Sequence, residues 1–241
     1  MGFGLEVRND ASYLQIDQDY RNQVLLNRVT VNTTTAAAAG VAGRDTWLAT
    51  WYRYRAQSPE SLIALRCTST LCLIFGVTLE NGTYVWTICC YAGPASVPVE
   101  IFEFGPAPVS ANSGYGLNVF DAQGRLAFSS NFQYMKVVDY INVANFTDPL
   151  NGQDQLTGAT VTYTAGRSYA VCSGWGAGIY DAYQVWTNEW EVSLLMMGFT
   201  SVDAGFRVKG EYFYSQSASN GGGTGATDYK YQLVIIDVTD L

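Results

Sequence analysis

Apolar residues in this chain mostly alternate with other residues, the period of a half-buried strand and not of a helix. Leu5 and Val7 alternate in this way, and so do Leu14 and Ile16. Between the two pairs lies Arg8-Asn9-Asp10-Ala11-Ser12, whose Asn and Asp tolerate left-handed backbone, so a β-hairpin is predicted here. Residues 47–55, 61–67 and 71–79 also read as strands. Glu80-Asn81-Gly82-Thr83 is the clearest hairpin turn and leads into a strand over 84–91. Residues 99–104 (VEIFEF) close a first module, and Gly105-Pro106-Ala107-Pro108 reads as a linker because proline ends pairing. Residues 30–43 are small and polar with no periodic face, which predicts a loop or an arm ordered by a partner. The alternative, a helix through Ala36 to Ala39, is too short to sustain itself.

The opening hairpin recurs. Residues 2–26 align without a gap on residues 114–138 at a constant offset of 112, Gly2 falling on Gly114. Gly4 matches Gly116, Leu5 matches Leu117, Val7 matches Val119 and Leu14 matches Leu126. Leu25-Leu26 match Val137-Val138. So many matches in register indicate a duplicated module. In the second copy, strand character follows over 135–143, 160–164 and 168–173, with an apolar-aromatic stretch over 183–197. Residues 206–214 are expected to pair with 229–238 around a flexible tip. The predicted fold is all-β: two antiparallel β-sandwich-like domains, each opening with a hairpin. The first covers 1–105 with an extended loop or arm at 30–43, the linker covers 106–113, and the second domain covers 114–241. Gly4, Leu5, Val7 and Leu14, with Gly116, Leu117, Val119 and Leu126, are candidate docking residues against a neighbouring subunit. The plain alternative is an ordinary structural hairpin in each domain.

The glycine-led stretches GLEVRND and GLNVFDAQGRLAFSS resemble sequences of minor tail and tail-tip (baseplate) proteins of long-tailed, siphovirus-like bacteriophages. The resemblance covers the two repeats, about a fifth of the chain. It implies a structural virion component at the tail tip, with tail hub, fibre or receptor-binding proteins as partners. It brings no catalytic residues. The three- and six-fold symmetry of tails implies a homotrimer or another three-fold arrangement, in which two modules per chain could make a pseudo-hexameric ring.

Composition narrows the reading further. Net charge is −8, so the overall field does not attract phosphate backbones or anionic lipid, and nucleic acid is not an expected partner. Charged residues make up only 14 %, which suits surface covered in an assembly. No signal peptide and no apolar run long enough to span a bilayer is evident, so membrane insertion is not expected. The chain is expected to be made in the host cytoplasm. Five cysteines and no histidine argue for free, buried thiols and against zinc or redox chemistry. No cofactor and no metal is expected.

Without histidine, the common acyl-transfer mechanisms are missing, and the reading is non-enzymatic. Glycoside hydrolysis needs only two carboxylates, so Glu189 with Glu191, or Glu100 with Glu103, keeps a glycosidase as an alternative, although solvent-facing strand residues are the plainer explanation. Trp175, Tyr180, Tyr183, Trp186 and Trp190 could stack on sugar rings of a host glycan, or contact a pilus, which makes a receptor-binding protein the other alternative. The same five could be core, in a chain with 17 Tyr, 11 Phe and 6 Trp. Asp148, Asn151 and Asp154 offer oxygen ligands but match no calcium motif.

Overall fold

The computed structural model describes residues 6–8, 14–17, 22–42, 44, 47–91, 96–108, 116–143, 160–175, 178–186, 189–218, 227–228 and 231–241. The first half runs β1 (Glu6–Arg8), β2 (Leu14–Asp17), β3 (Gln23–Asn32), α1 (Ala36–Ala39), β4 (Ala49–Arg55), β5 (Leu62–Arg66), β6 (Cys72–Glu80), β7 (Thr83–Tyr91) and β8 (Pro98–Pro106). The second half runs β9 (Asn118–Phe120), β10 (Leu126–Ser129), β11 (Lys136–Val143), β12 (Thr160–Thr162), β13 (Tyr169–Trp175), β14 (Gly178–Trp186), β15 (Glu189–Val202), β16 (Gly205–Ala218), β17 (Thr227–Asp228) and β18 (Tyr231–Asp237). The fold is all-β and sandwich-like, and every strand pairing among the described residues is antiparallel.

The duplication reaches far beyond the hairpins. β1–β2 and β9–β10 share one register: Val7 faces Ile16 as Val119 faces Phe128, and both ladders carry a bulge at the same place. The strand that follows is bulged at Leu26 in β3 and at Val138 in β11, again 112 residues apart. One sheet has the order β3-β8-β5-β13-β18-β11. The other has β4-β7-β6-β15-β16-β12, with β14 added to β15 and β17 to β14. Each sheet is thus two triplets of matching order, β3-β8-β5 with β11-β18-β13, and β4-β7-β6 with β12-β16-β15. Within a half, the first long strand pairs with the last and the second with the next to last, a wrapping related to the jelly roll.

The halves meet where β5 lies beside β13, through Leu65 and Val171, and where β6 lies beside β15, through Cys72 and Phe199. Each contact joins a strand to its own counterpart in antiparallel sense, as a two-fold relation requires. A third such contact closes the first sheet at one end. Leu25 N–H donates to Gln133 O (2.7 Å) and Met135 N–H to Gln23 O (2.9 Å), so the segment leading into β11 meets the start of β3. Gln23 and Met135 are themselves counterparts. Both modules are therefore present, but they share two sheets and are not strung apart on a linker. Gly105 and Pro106, read as linker, are the last residues of β8 and pair with Val24 and Gln23.

The main core lies between the sheets and takes Ile63, Leu65, Val99 and Ile101 from the first half and Tyr169, Val171, Leu233 and Ile235 from the second. A second apolar layer lines the other face of the first sheet, with Phe102 and Phe104 beside Ala170 and Ile236. Cys67, Cys72, Cys89 and Cys90 are buried, all five cysteines are free, and burial holds the Cys89 thiol well above its ordinary value and Cys172 at about 11.

Two further expectations are corrected. Residues 30–43 are not an arm. Thr33 is fully buried, its hydroxyl 2.7 Å from that of Thr50, and its N–H donates to Val97 O. Four alanines do make a helical turn, because Thr35 caps its start, Gly40 (φ 72°) ends it in the left-handed region, and Ala36 is buried beside Trp51. Residues 206–214 do not pair with 229–238 either: β16 joins β15 and β12, whereas β18 joins β11 and β13 in the other sheet. The Asn81-Gly82 turn forms as expected, both residues having positive φ.

Candidate docking surface

The eight hairpin residues do different jobs. Val119 and Leu126 are buried, and Leu126 packs with Val24 and Ala107. Leu126 thereby anchors the second hairpin to the body. Leu117 is 51 % exposed and Phe120 45 % exposed, so the outward apolar contribution of this hairpin comes from them. Phe120 was not singled out by its sequence, because its counterpart is Arg8. Gly116 has a steric reason: a Cβ there would lie 2.4 Å from Ser130 Oγ and 3.0 Å from Asn131 Oδ1. Leu117 N–H donates to Ser130 Oγ (3.0 Å), and Ser130 N–H returns to Leu117 O (2.9 Å). Val7 and Leu14 stand in β1 and β2 at the positions matching Val119 and Leu126. Gly4 and Leu5 lie outside the described residues.

The tip of the second hairpin is rigidly built. Asp121 Oδ1 accepts the N–H groups of Gln123 (2.9 Å) and Arg125 (2.8 Å), its Oδ2 is 2.5 Å from Arg125 Nε, and Gly124 takes φ 75°. At the base, Tyr134 stacks on Phe128 at 4.9 Å, and its hydroxyl donates to Ser129 O. Beyond it, the outermost strand β11 exposes Val137 (51 %), Val138 and Tyr140. Five large apolar side chains are thus solvent-exposed between residues 117 and 140, on the hairpin and the strand it leads into. In the first half, Leu25 and Leu26 at the positions of Val137 and Val138 are partly buried, and Leu26 packs against the cluster of Val24, Ala107 and Leu126. Only the second half leaves this pair uncovered among the described residues. The sequence signal for it was available: two adjacent apolar residues break the alternation in both copies and mark the bulge.

The aromatic candidates fall mostly outside the duplicated frame. Trp175 ends β13, whereas Tyr180, Tyr183 and Trp186 belong to β14 and Trp190 to the start of β15. Tyr180 is opposite Leu194, Tyr183 opposite Glu191, Gln184 opposite Trp190 and Trp186 opposite Glu189. Among the described residues β14 has no counterpart in the first half, so Tyr180, Tyr183 and Trp186 sit on a strand added to one module only.

The candidate carboxylates separate as well. Glu100 and Glu103 stand three apart on β8 and hence on opposite faces. Glu100 pairs with Arg28 (2.9 Å) and Arg66 (2.6 Å). Glu103 is wholly buried, contrary to the expectation of a solvent-facing residue, and accepts bonds from Tyr54 Oη, Gln57 N–H and Ser61 Oγ, all at 2.6 Å. Burial, and then donation to Glu103, drives the Tyr54 hydroxyl well above its ordinary value. A carboxylate so enclosed is a structural clamp. No cluster of three His, Cys, Asp or Glu able to hold a metal occurs among the described residues. Asp148, Asn151 and Asp154 lie outside them. No helix among the described residues is long and apolar enough to cross a membrane. No protein-family model, no curated protein and no solved structure matches this chain.

Proposed function

We propose that this chain is a structural virion protein of a phage tail tip or baseplate, docking tail components or fibres for host attachment. The observation that carries this reading is the pair of hairpins of identical register, of which the second exposes Leu117 and Phe120 and leads into a strand that exposes Val137, Val138 and Tyr140. Large apolar side chains left exposed together on one hairpin and the strand that follows it suit a surface that a partner covers. The resemblance of the two repeats to tail-tip proteins names the partners: a hub, a fibre or a receptor-binding protein, around a three-fold axis. Immunogold labelling of particles from the producing culture tests it. Label at the distal end of tails is expected; particles without label, and without the chain in their mass spectrum, refute it. Leu117→Ser with Phe120→Ser should keep the thermal midpoint of the isolated chain and prevent its incorporation into particles.

A second reading has one observation in its favour. Tyr180, Tyr183 and Trp186 lie on β14, which has no counterpart among the described residues of the first half, and Trp190 stands opposite Gln184 of that strand; a feature added to one copy of a symmetric frame suits a binding task. In that reading the extension recognises a host glycan or pilus. Replacing Trp186 and Trp190 by Ala should abolish binding of the chain to host cells, and unchanged binding discards this reading.

A further inference from the structure

Among the described residues, every strand ladder except the two at the junction is closed within one half: β3, β4, β5, β6 and β7 pair with β7, β8 or one another, and β11, β12, β13, β15 and β16 pair with β16, β18 or one another. The ladders that cross from half to half are single residue pairs, Leu65 with Val171 and Cys72 with Phe199, apart from the bridge at Val24 and Tyr134. Ser201 supplements them, its N–H donating to Cys67 O (2.6 Å) and its Oγ accepting from Cys67 N–H (3.3 Å). Each half thus satisfies most of its own backbone. What the other half supplies is cover for apolar side chains: Ile63, Leu65 and Cys72 against Val171, Phe199 and Ile235. That division is the signature of an interface between subunits and not of the inside of one. The contact is also isologous, each strand meeting its counterpart, as in a two-fold dimer.

We infer that the chain is a dimer fused into one polypeptide, and that the face formed by β5 and β6 is an interaction surface whose occupant is the second half, whether or not a peptide bond joins them. A second copy of the chain can therefore supply that half in place of the resident one. The inference does not depend on the role in a virion. A protease site placed between Pro108 and Gly116 of the full chain, and cut after folding, tests it. At micromolar concentration the two fragments should co-elute by light scattering at the mass of the uncut 26.3 kDa chain with an unchanged near-ultraviolet spectrum. Mixing cut protein with isotopically labelled cut protein should then yield hybrid pairs by native mass spectrometry, faster by about 5-fold in Ser201→Ala, which loses one junction hydrogen bond. Separation or precipitation of the fragments on cutting, or co-elution without any hybrid pairs after prolonged mixing, overturns the inference.

Discussion

Glu103 is tolerable inside the protein only because three donors converge on it. Glu103→Ala strands the buried Tyr54 and Ser61 hydroxyls and the part-buried Gln57 N–H, and should cost about 3–5 kcal/mol, read as a large drop in the urea midpoint. Glu103→Gln keeps an acceptor and should cost roughly 1–2 kcal/mol. At Gly205, an added Cβ would sit 2.0 Å from Val161 O, a backbone atom that cannot swing aside. Gly205→Ala should therefore detach β12, visible as loss of amide protection at Val161, while Gly82→Ala meets no atom and suffers only from its positive φ. Acid should act through Asp237. Burial opposes its ionisation, but the Thr239 hydroxyl (2.7 Å) and N–H (3.0 Å), with Arg167, outweigh that and hold it below the usual carboxylate range. A depressed carboxylate stabilises the fold above its unfolded value near 3.9, and that contribution disappears as pH falls through the lower folded value. The thermal midpoint should thus fall below about pH 4, with a shallower slope in Asp237→Asn.

At the scale of elements, local chemistry was readable and long-range pairing was not. The Asn81-Gly82 turn and the two opening hairpins announce themselves because their residues choose the backbone dihedrals directly. The helical turn at Ala36 was hidden because its stability comes from Thr35, Gly40 and contact with β4, none of which a run of alanines reveals. The partner of β16 is not legible, because alternation shows that a strand exists and not which strand lies beside it. The inward side of Glu103 was legible in principle, since Val99, Ile101 and Glu103 share one face of β8. Replacing residues 33–41 by a Gly-Ser linker removes the buried Thr33–Thr50 bond and uncovers Trp51, and should destabilise the chain by about 3 kcal/mol or more, measured by denaturant unfolding. Retained stability would return this segment to the status of a dispensable arm.

For the whole molecule, the two-fold relation of the halves constrains any assembly. Isologous contacts close on themselves, whereas neighbours round a ring meet head to tail. That relation differs from the one between successive positions of a pseudo-hexamer, and the three-fold assembly proposed above would use other surfaces, of which the hairpin and β11 region is the best furnished. The order of strands also gives the nascent chain a timetable. β8, the last strand of the first half, ends at Pro106, but the strands that cover β5 and β6 end only at Trp175 and Val202. At about 5–20 residues per second, the ribosome leaves the inner edge of the finished first half waiting roughly 5–20 s for its mate. During that interval two nascent chains on one messenger present each other with the same unsheathed face, so translation speed across the second half governs how much chain matures and how much is lost to mispairing between neighbours.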